Sequence, residues 1–322
     1  MTVPAFYDLR DRARRSLGLA QDPRRIIFIH TGITLLFTLL LAVVNYLLEQ
    51  QISGTGGLSG IGTRSVLETA QSVLQMAQSI LLPFWQIGYL YYTLKLAQGE
   101  DCNTAALTEG FRRFNAVLRL KLLIAGMMFI VMMASSYAAT SVFMLTPWSD
   151  PLMEALMPMM TDPEAMMDPD AMMTLYDSLP LSSIVPLMVL FISCFIAAFI
   201  FVYYRIRMAE LWLMDHPDRG AFAAIRGSFK MMNRNCVATF KIDLRFWWFF
   251  ALELLVTLFL YADVLLTALG IVLPFDPNVG YLICLGAYLV AQMALYLWKQ
   301  NEVSVTYAHL YEALKPSEET PV

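Results

Sequence analysis

Residues 26–48 read IIFIHTGITLLFTLLLAVVNYLL, 23 positions without an Asp, Glu, Lys or Arg, set between Arg24-Arg25 and Glu49-Gln50. A helix rises about 1.5 Å per residue, so roughly 20 such residues cross the hydrocarbon core of a bilayer. Working outward along the chain, five further stretches qualify: Thr69–Leu94, Leu122–Ser149, Ser178–Tyr204, Phe246–Leu269 (interrupted by Glu253 and Asp263) and Val279–Trp298. Composition agrees, with 58% hydrophobic residues, 15% charged and a mean hydropathy of +0.58 over 322 residues. A soluble globule needs a charged exterior and carries about 25% charged residues. A soluble domain, a disordered chain, a disulfide scaffold and a nucleic-acid binder are therefore excluded. The expected fold is an all-α integral membrane protein with six transmembrane helices.

Six spans put both termini on one side, and the basic residues choose it. Of the 22 Lys and Arg residues, 21 fall in the N-terminal arm, the second and fourth connections or after the last span, with Arg64 alone opposite. The termini are expected to be cytoplasmic. The first span exceeds the ~7–15 residues of a signal-peptide core and reads as a retained anchor, because no small-residue cleavage site follows it. Cys194 and Cys284 fall inside spans and Cys102 and Cys236 on the reducing side, so no structural disulfide is expected.

The end of span two, Tyr91-Tyr92-Thr93-Leu94-Lys95-Leu96-Ala97-Gln98, is echoed at the end of span four by Tyr203-Tyr204-Arg205-Ile206-Arg207-Met208-Ala209-Glu210. Downstream of each, Ala105-Ala106-Leu107 with Phe111-Arg112 matches Ala223-Ala224-Ile225 with Phe229-Lys230. Two matches in one order argue for duplication. Each second motif lies on an amphipathic stretch. Leu107, Phe111, Phe114 and Leu118 share one face, and Phe222, Ile225, Phe229 and Met232 another, opposite Arg226, Lys230 and Arg234. The N-terminal arm repeats the pattern with Phe6, Leu9, Ala13 and Leu17. Basic amphipathic helices beside spans are expected in the membrane interface, giving three internally repeated units of interfacial helix plus hairpin. The chain then reads as one six-span domain over 1–314, with units at about 1–98, 103–210 and 218–314. Residues 315–322 read as a flexible C-terminal tail.

The Gly88-x-Leu90-Tyr91 run, the Gly99-Glu100 turn and Gly110-Phe111-Arg112-Arg113-Phe114 resemble an uncharacterised family of bacterial six-span membrane proteins. Tyr204-x-x-x-Met208-Ala209, Asp215-His216-Pro217 and Ala224-Ile225-x-x-Ser228-x-x-Met231-Met232 extend the resemblance over nearly the whole chain. More loosely, the architecture is similar to the membrane domain of some glycerophosphodiester phosphodiesterases, without their soluble catalytic domain. The resemblance implies a multi-pass protein of the bacterial cytoplasmic membrane and supplies no substrate.

Candidate sites are few. His30, His216 and His309 show no metal spacing, and no nucleophile elbow, phosphate loop or metalloprotease motif is present. No enzyme activity, metal or cofactor is expected. Glu253 lies eight residues past Arg245, about 12 Å into the span. A carboxylate there is unfavourable by roughly 2.5–3.5 kcal/mol, so it faces protein or water. It reads either as a proton or cation site or as a packing residue reaching His30 or Lys299. Span two carries Glu68, Gln71, Gln75, Gln78 and Gln86 near one helical face, interrupted by Pro83. That face either lines a hydrated cavity or bonds neighbouring helices. Arg112, Arg113, Arg226, Lys230 and Arg234 are the expected interfacial lipid contacts. The outer loop 146–181 holds seven acids and eight Met residues, with a tandem Asp162-Pro-Glu-Ala-Met-Met and Asp168-Pro-Asp-Ala-Met-Met. Asp before Pro predicts helix starts at Asp150, Asp162 and Asp168. The paired Met residues suit either Cu(I) or an adaptable surface for another membrane protein. The expected role is a non-catalytic scaffold or accessory protein acting on membrane lipids or a membrane partner. The alternative is a small-solute or proton-coupled transporter using the span-two polar face and Glu253.

Overall fold

The computed structural model describes residues 4–54, 61–100, 102–161, 180–262 and 277–315, and every regular element among them is helical. Three helices open the chain: α1 (Phe6–Leu19), α2 (Pro23–Gly54) and α3 (Ile61–Ala97). A 3₁₀ turn (Thr104–Thr108) and the single-turn α4 (Glu109–Arg112) lead into α5 (Phe114–Phe143). Then come α6 (Ser149–Thr161), α7 (Leu181–Ile206), α8 (Ala209–Asp215), α9 (Gly220–Met232), α10 (Cys236–Arg245) and α11 (Trp247–Phe259). The last rod is α12 (Pro277–Leu295), a π-helical turn at Tyr296–Gln300, and α13 (Asn301–Leu314).

Four stretches are long and apolar enough to cross a membrane: Pro23–Leu48, Phe114–Phe143, Leu181–Asp215 and Gly280–Leu314. They overlap the first, third, fourth and sixth expected spans. The apolar window of Leu181–Asp215 buries no residue inside the protein. Such a surface is stable where lipid replaces water. α3 has the length, 37 residues, but its glutamines lower its hydropathy and Pro83 sits inside it. α11 is shorter at 13 residues, starting after a backbone break at Phe246 and ending at Phe259 with a turn at Leu260; Asp263 and the end of the fifth expected span lie outside the described residues.

The chain divides into two compact units, Met1–Arg119 with Met208–Val322, and Leu120–Arg207. In the first, α3 is the axis. Its C-terminal third receives α2, the first 3₁₀ turn, α4, α8 and α13; α1 packs on α13, α9 on α8, and α11 on α12. Ile26, Ile27, Tyr89, Tyr92, Leu96, Leu107 and Val305 form the shared core, each large side chain contributing roughly 1.5–3 kcal/mol by burial. Two glycines permit this packing. A Cβ at Gly88 would lie 1.9 Å from the Leu107 carbonyl oxygen, and one at Gly110 2.1 Å from that of Phe84. Only hydrogen fits at either position.

The amphipathic stretches differ from the expected interfacial helices. α1 turns Leu9 and Ala13, both fully buried, onto α13. α9 buries Ala221, Ala224, Ile225, Ser228, Met231 and Met232, leaving Phe222 outside. The stretch around Leu107 is broken at Arg113 (φ −101°, ψ 32°), and Leu107 is buried. An apolar face at helical spacing shows that something apolar covers it, not whether that is lipid or protein.

In the second unit α6 packs on α7, whose Phe191, Phe195, Phe199 and Tyr203 stack at successive centroid distances of 6.2, 5.8 and 5.7 Å. α6 begins at Ser149, one residue before the expected cap Asp150. The tandem after Asp162 and tail residues 316–322 lie outside the described residues.

Candidate functional site

Polar side chains concentrate where the helices of the first unit meet. Glu302 on α13 receives Lys299 at 2.7 Å, Arg14 of α1 at 3.1 Å, and Arg10. Asp215, at the end of α8, binds Lys315 at 2.6 Å and accepts from the Tyr311 hydroxyl at 2.8 Å and the Gln98 amide at 3.0 Å. That Gln98 amide also donates to Glu312 at 2.8 Å. The Tyr89 hydroxyl donates to Asn301 at 2.6 Å, and the Asn301 amide to the Pro23 carbonyl at 3.0 Å. These bonds tie α1, the start of α2, the end of α3, α8 and α13 together. Burial works to lower the Lys95 ammonium, but the Glu100 carboxylate at 2.9 Å outweighs it and holds it above its ordinary range. Among the described residues no group of three or more His, Cys, Asp or Glu is placed to hold a metal ion. In the same seam the Ser16 hydroxyl of α1 lies 3.0 Å from His309 Nε2 of α13, and the network as a whole joins opposite charges across the helix ends.

The residues singled out from the sequence do not gather at one place. Glu253, half-buried on α11, accepts a hydrogen bond from the Tyr296 hydroxyl at 2.7 Å. α11 packs on α12, whereas α3 packs on α1, α2, the 3₁₀ turn, α4, α8 and α13. Along α3, Gln71 and Gln78 are half-buried, and Glu68, Gln75 and Gln86 are exposed. His30 is buried, its ring stacked 4.3 Å from Tyr89 and 5.8 Å from Trp85. Lys299 engages Glu302. His216 stacks on Trp212 at 4.7 Å.

The basic residues divide. Arg113 donates to Glu109 and to the Met214 carbonyl, both at 3.0 Å, and so holds α4 to α8. Arg112 has a side chain 73% exposed, with Glu109 3.6 Å away. Arg226, Lys230 and Arg234 are exposed.

Sequence reasoning missed a cavity of about 500 Å³ between the α1–α2 corner and the connection after α3. Gln21, Asp22 and Arg25 line it from the corner, Tyr91 from α3, and Asn103, Glu109 and Arg112 from the connection. Asp22 adopts φ 51°, and its carbonyl accepts from the Arg25 and Ile26 amides at 3.0 and 3.3 Å. The one signal in the sequence was Asp22-Pro23, a helix cap with Pro at the first helical position.

Long apolar helices left uncovered by protein, joined by polar ties at their ends, define an all-helical membrane protein. Residues 24–315 match the family described as protein of unknown function (DUF975), and the chain belongs to that family. No curated protein and no solved structure matches it.

Proposed function

We propose that this is a non-catalytic accessory protein of the bacterial cytoplasmic membrane, with six spans in three repeated units and both termini inside, acting on membrane lipid or on another membrane protein. The observation that carries this reading is the commitment of Glu253 to the Tyr296 hydroxyl. The carboxylate of α11 is engaged in joining that helix to the last rod. The exposed cations point the same way. The apolar faces of α1 and α9 are taken up by protein, so Arg112, Arg226, Lys230 and Arg234 are available to headgroups by charge, at about 1 kcal/mol for each basic residue near an anionic surface.

The glutamine face of α3 suits a partner helix, because exposed amides inside a bilayer are stabilised by bonds to another span. The acidic Met-rich loop 146–181 is a second place for such a partner. The looser likeness to the membrane domain of glycerophosphodiester phosphodiesterases brings no catalysis with it. A thermal-shift screen of the purified full-length protein against phospholipids, metal ions and small solutes tests the proposal. Stabilisation by lipid with no response to metals or solutes is expected. Saturable stabilisation by a solute, lost in Glu253→Gln, would favour the transporter.

A further inference from the structure

The 500 Å³ cavity has the size of a small-molecule site, about 300–1,000 Å³. Its lining is mixed in a particular way. Arg25 and Asp22 line it from the start of α2 and the corner before it, and Arg112 lines it from α4. Glu109, the other acid, already faces Arg113 at 3.0 Å and Arg112 at 3.6 Å. The first turn of α2 also lines the cavity through Arg25 and Ile26, adding the positive end of a long helix. A ligand that satisfies this lining carries a phosphate and, a few atoms away, a cation.

The depth is that of lipid headgroups. Arg25 is the last charge before the apolar run of α2, and Tyr91 lies near the end of the apolar run of α3. A second cavity of about 140 Å³ is walled by Ile33, Phe37, Leu81, Leu82, Trp85 and Phe111, and its lining exposes no polar surface. Ile26 of the first cavity and Ile33 and Phe37 of the second follow at intervals of seven and four residues, the spacing of one helical face. The apolar groove therefore starts about 10 Å further along the same side of α2. On the other side Phe111 of the groove adjoins Arg112 of the polar cleft in the chain. A polar pocket at headgroup depth with an apolar groove below it matches one amphiphile, head and tail.

We infer that this cleft and groove bind a single glycerophospholipid with an amine-bearing zwitterionic headgroup, its phosphate held by Arg25 and Arg112, its ammonium by Asp22 and one acyl chain by the Ile33–Phe37–Trp85 groove. The inference deepens the proposal that the protein acts on lipid, by naming the lipid class and the site.

Native mass spectrometry of the full-length protein, released from detergent after equilibration with equal amounts of phosphatidylethanolamine and phosphatidylglycerol, is the test. One phosphatidylethanolamine should be retained in preference. Arg25→Gln and Arg112→Gln should each weaken retention about tenfold or more, as loss of a charge-assisted contact does. Asp22→Asn keeps a residue that tolerates positive φ; it should hold lipid but lose the preference for the amine headgroup. Soluble glycerophosphoethanolamine, which lacks the tails, should compete poorly. Retention unchanged in both arginine variants, or no preference in the parent protein, overturns the site. Competition by the soluble headgroup as strong as that of the lipid overturns the role of the groove. Binding of lipids elsewhere, with this cleft indifferent to substitution, would sink this inference and leave the broader proposal standing; no lipid retained anywhere would sink both.

Discussion

Replacing Gly88 by alanine places a methyl carbon 1.9 Å from the Leu107 carbonyl oxygen, where ordinary contact begins near 3.4 Å. The obstacle is backbone, not the end of a flexible side chain. The crossing of α3 with the 3₁₀ turn must therefore open by about 1.5 Å. Opening it uncouples Leu107 from Tyr92 and Leu96 and moves Arg113 away from the Met214 carbonyl. Overpacking of this kind is destabilising by roughly 1–3 kcal/mol, and rigid backbone on both sides puts Gly88→Ala at the upper end. Gly110→Ala meets Phe84 at 2.1 Å across the same crossing, so the double variant should fall short of additivity by about 0.5 kcal/mol or more. Gly126→Ala is the control: nothing lies within 4 Å of its Cβ, and helix propensity alone should raise stability by up to about 1 kcal/mol. Thermal melting of the purified protein in one detergent reads all four. Gly88→Ala melting with the parent, or no worse than Gly126→Ala, would refute the close crossing and the hub built on it.

Other substitutions probe the remaining ties. Asp215→Ala strands Lys315 and Tyr311 and leaves the Gln98 amide to Glu312 alone; it should lower stability by about 2–3 kcal/mol in the same melt, the figure for a buried pair discounted for its residual exposure. Glu253→Leu, which leaves the Tyr296 hydroxyl without its acceptor, should cost about 1–3 kcal/mol, and Glu253→Gln much less. For orientation, a cysteine at Asp150 should react with an impermeant thiol reagent in intact cells and one at Asp218 should not; both positions are exposed. The reverse pattern would invert the topology. Binding to anionic vesicles should weaken on raising salt from about 0.1 to 1 M, because exposed charges are screened beyond a few ångströms there; flotation at both salts checks it.

Length and hydropathy made four apolar helices legible, because 23 residues without a charge at 26–48 have one inexpensive environment. Gly88 and Gly110 stood out as part of a motif, but their reason, a mutual approach of two backbones, needs both partners in place. The faces of Leu9 and Ala13 and of Ile225 and Met232 were recognisable as apolar, while their covering by α13 and α8 was not, since periodicity carries no partner identity. Counting from Arg245 places Glu253 about 12 Å along its helix. Its hydrogen bond reaches Tyr296, 43 residues on, and no local pattern encodes that. The mixed-charge cleft escaped notice for the same reason: Asp22 and Arg25 lie nearly 90 residues from Glu109 and Arg112.

The proposed role of Glu253 is to hold α11 to the last rod and to carry no proton across a membrane. It is tested most directly by proton flux into proteoliposomes under an imposed membrane potential, followed with an internal pH dye. The parent protein, Glu253→Gln and protein-free vesicles should acidify at one rate. A flux present in the parent and abolished in a normally folded Glu253→Gln would contradict it.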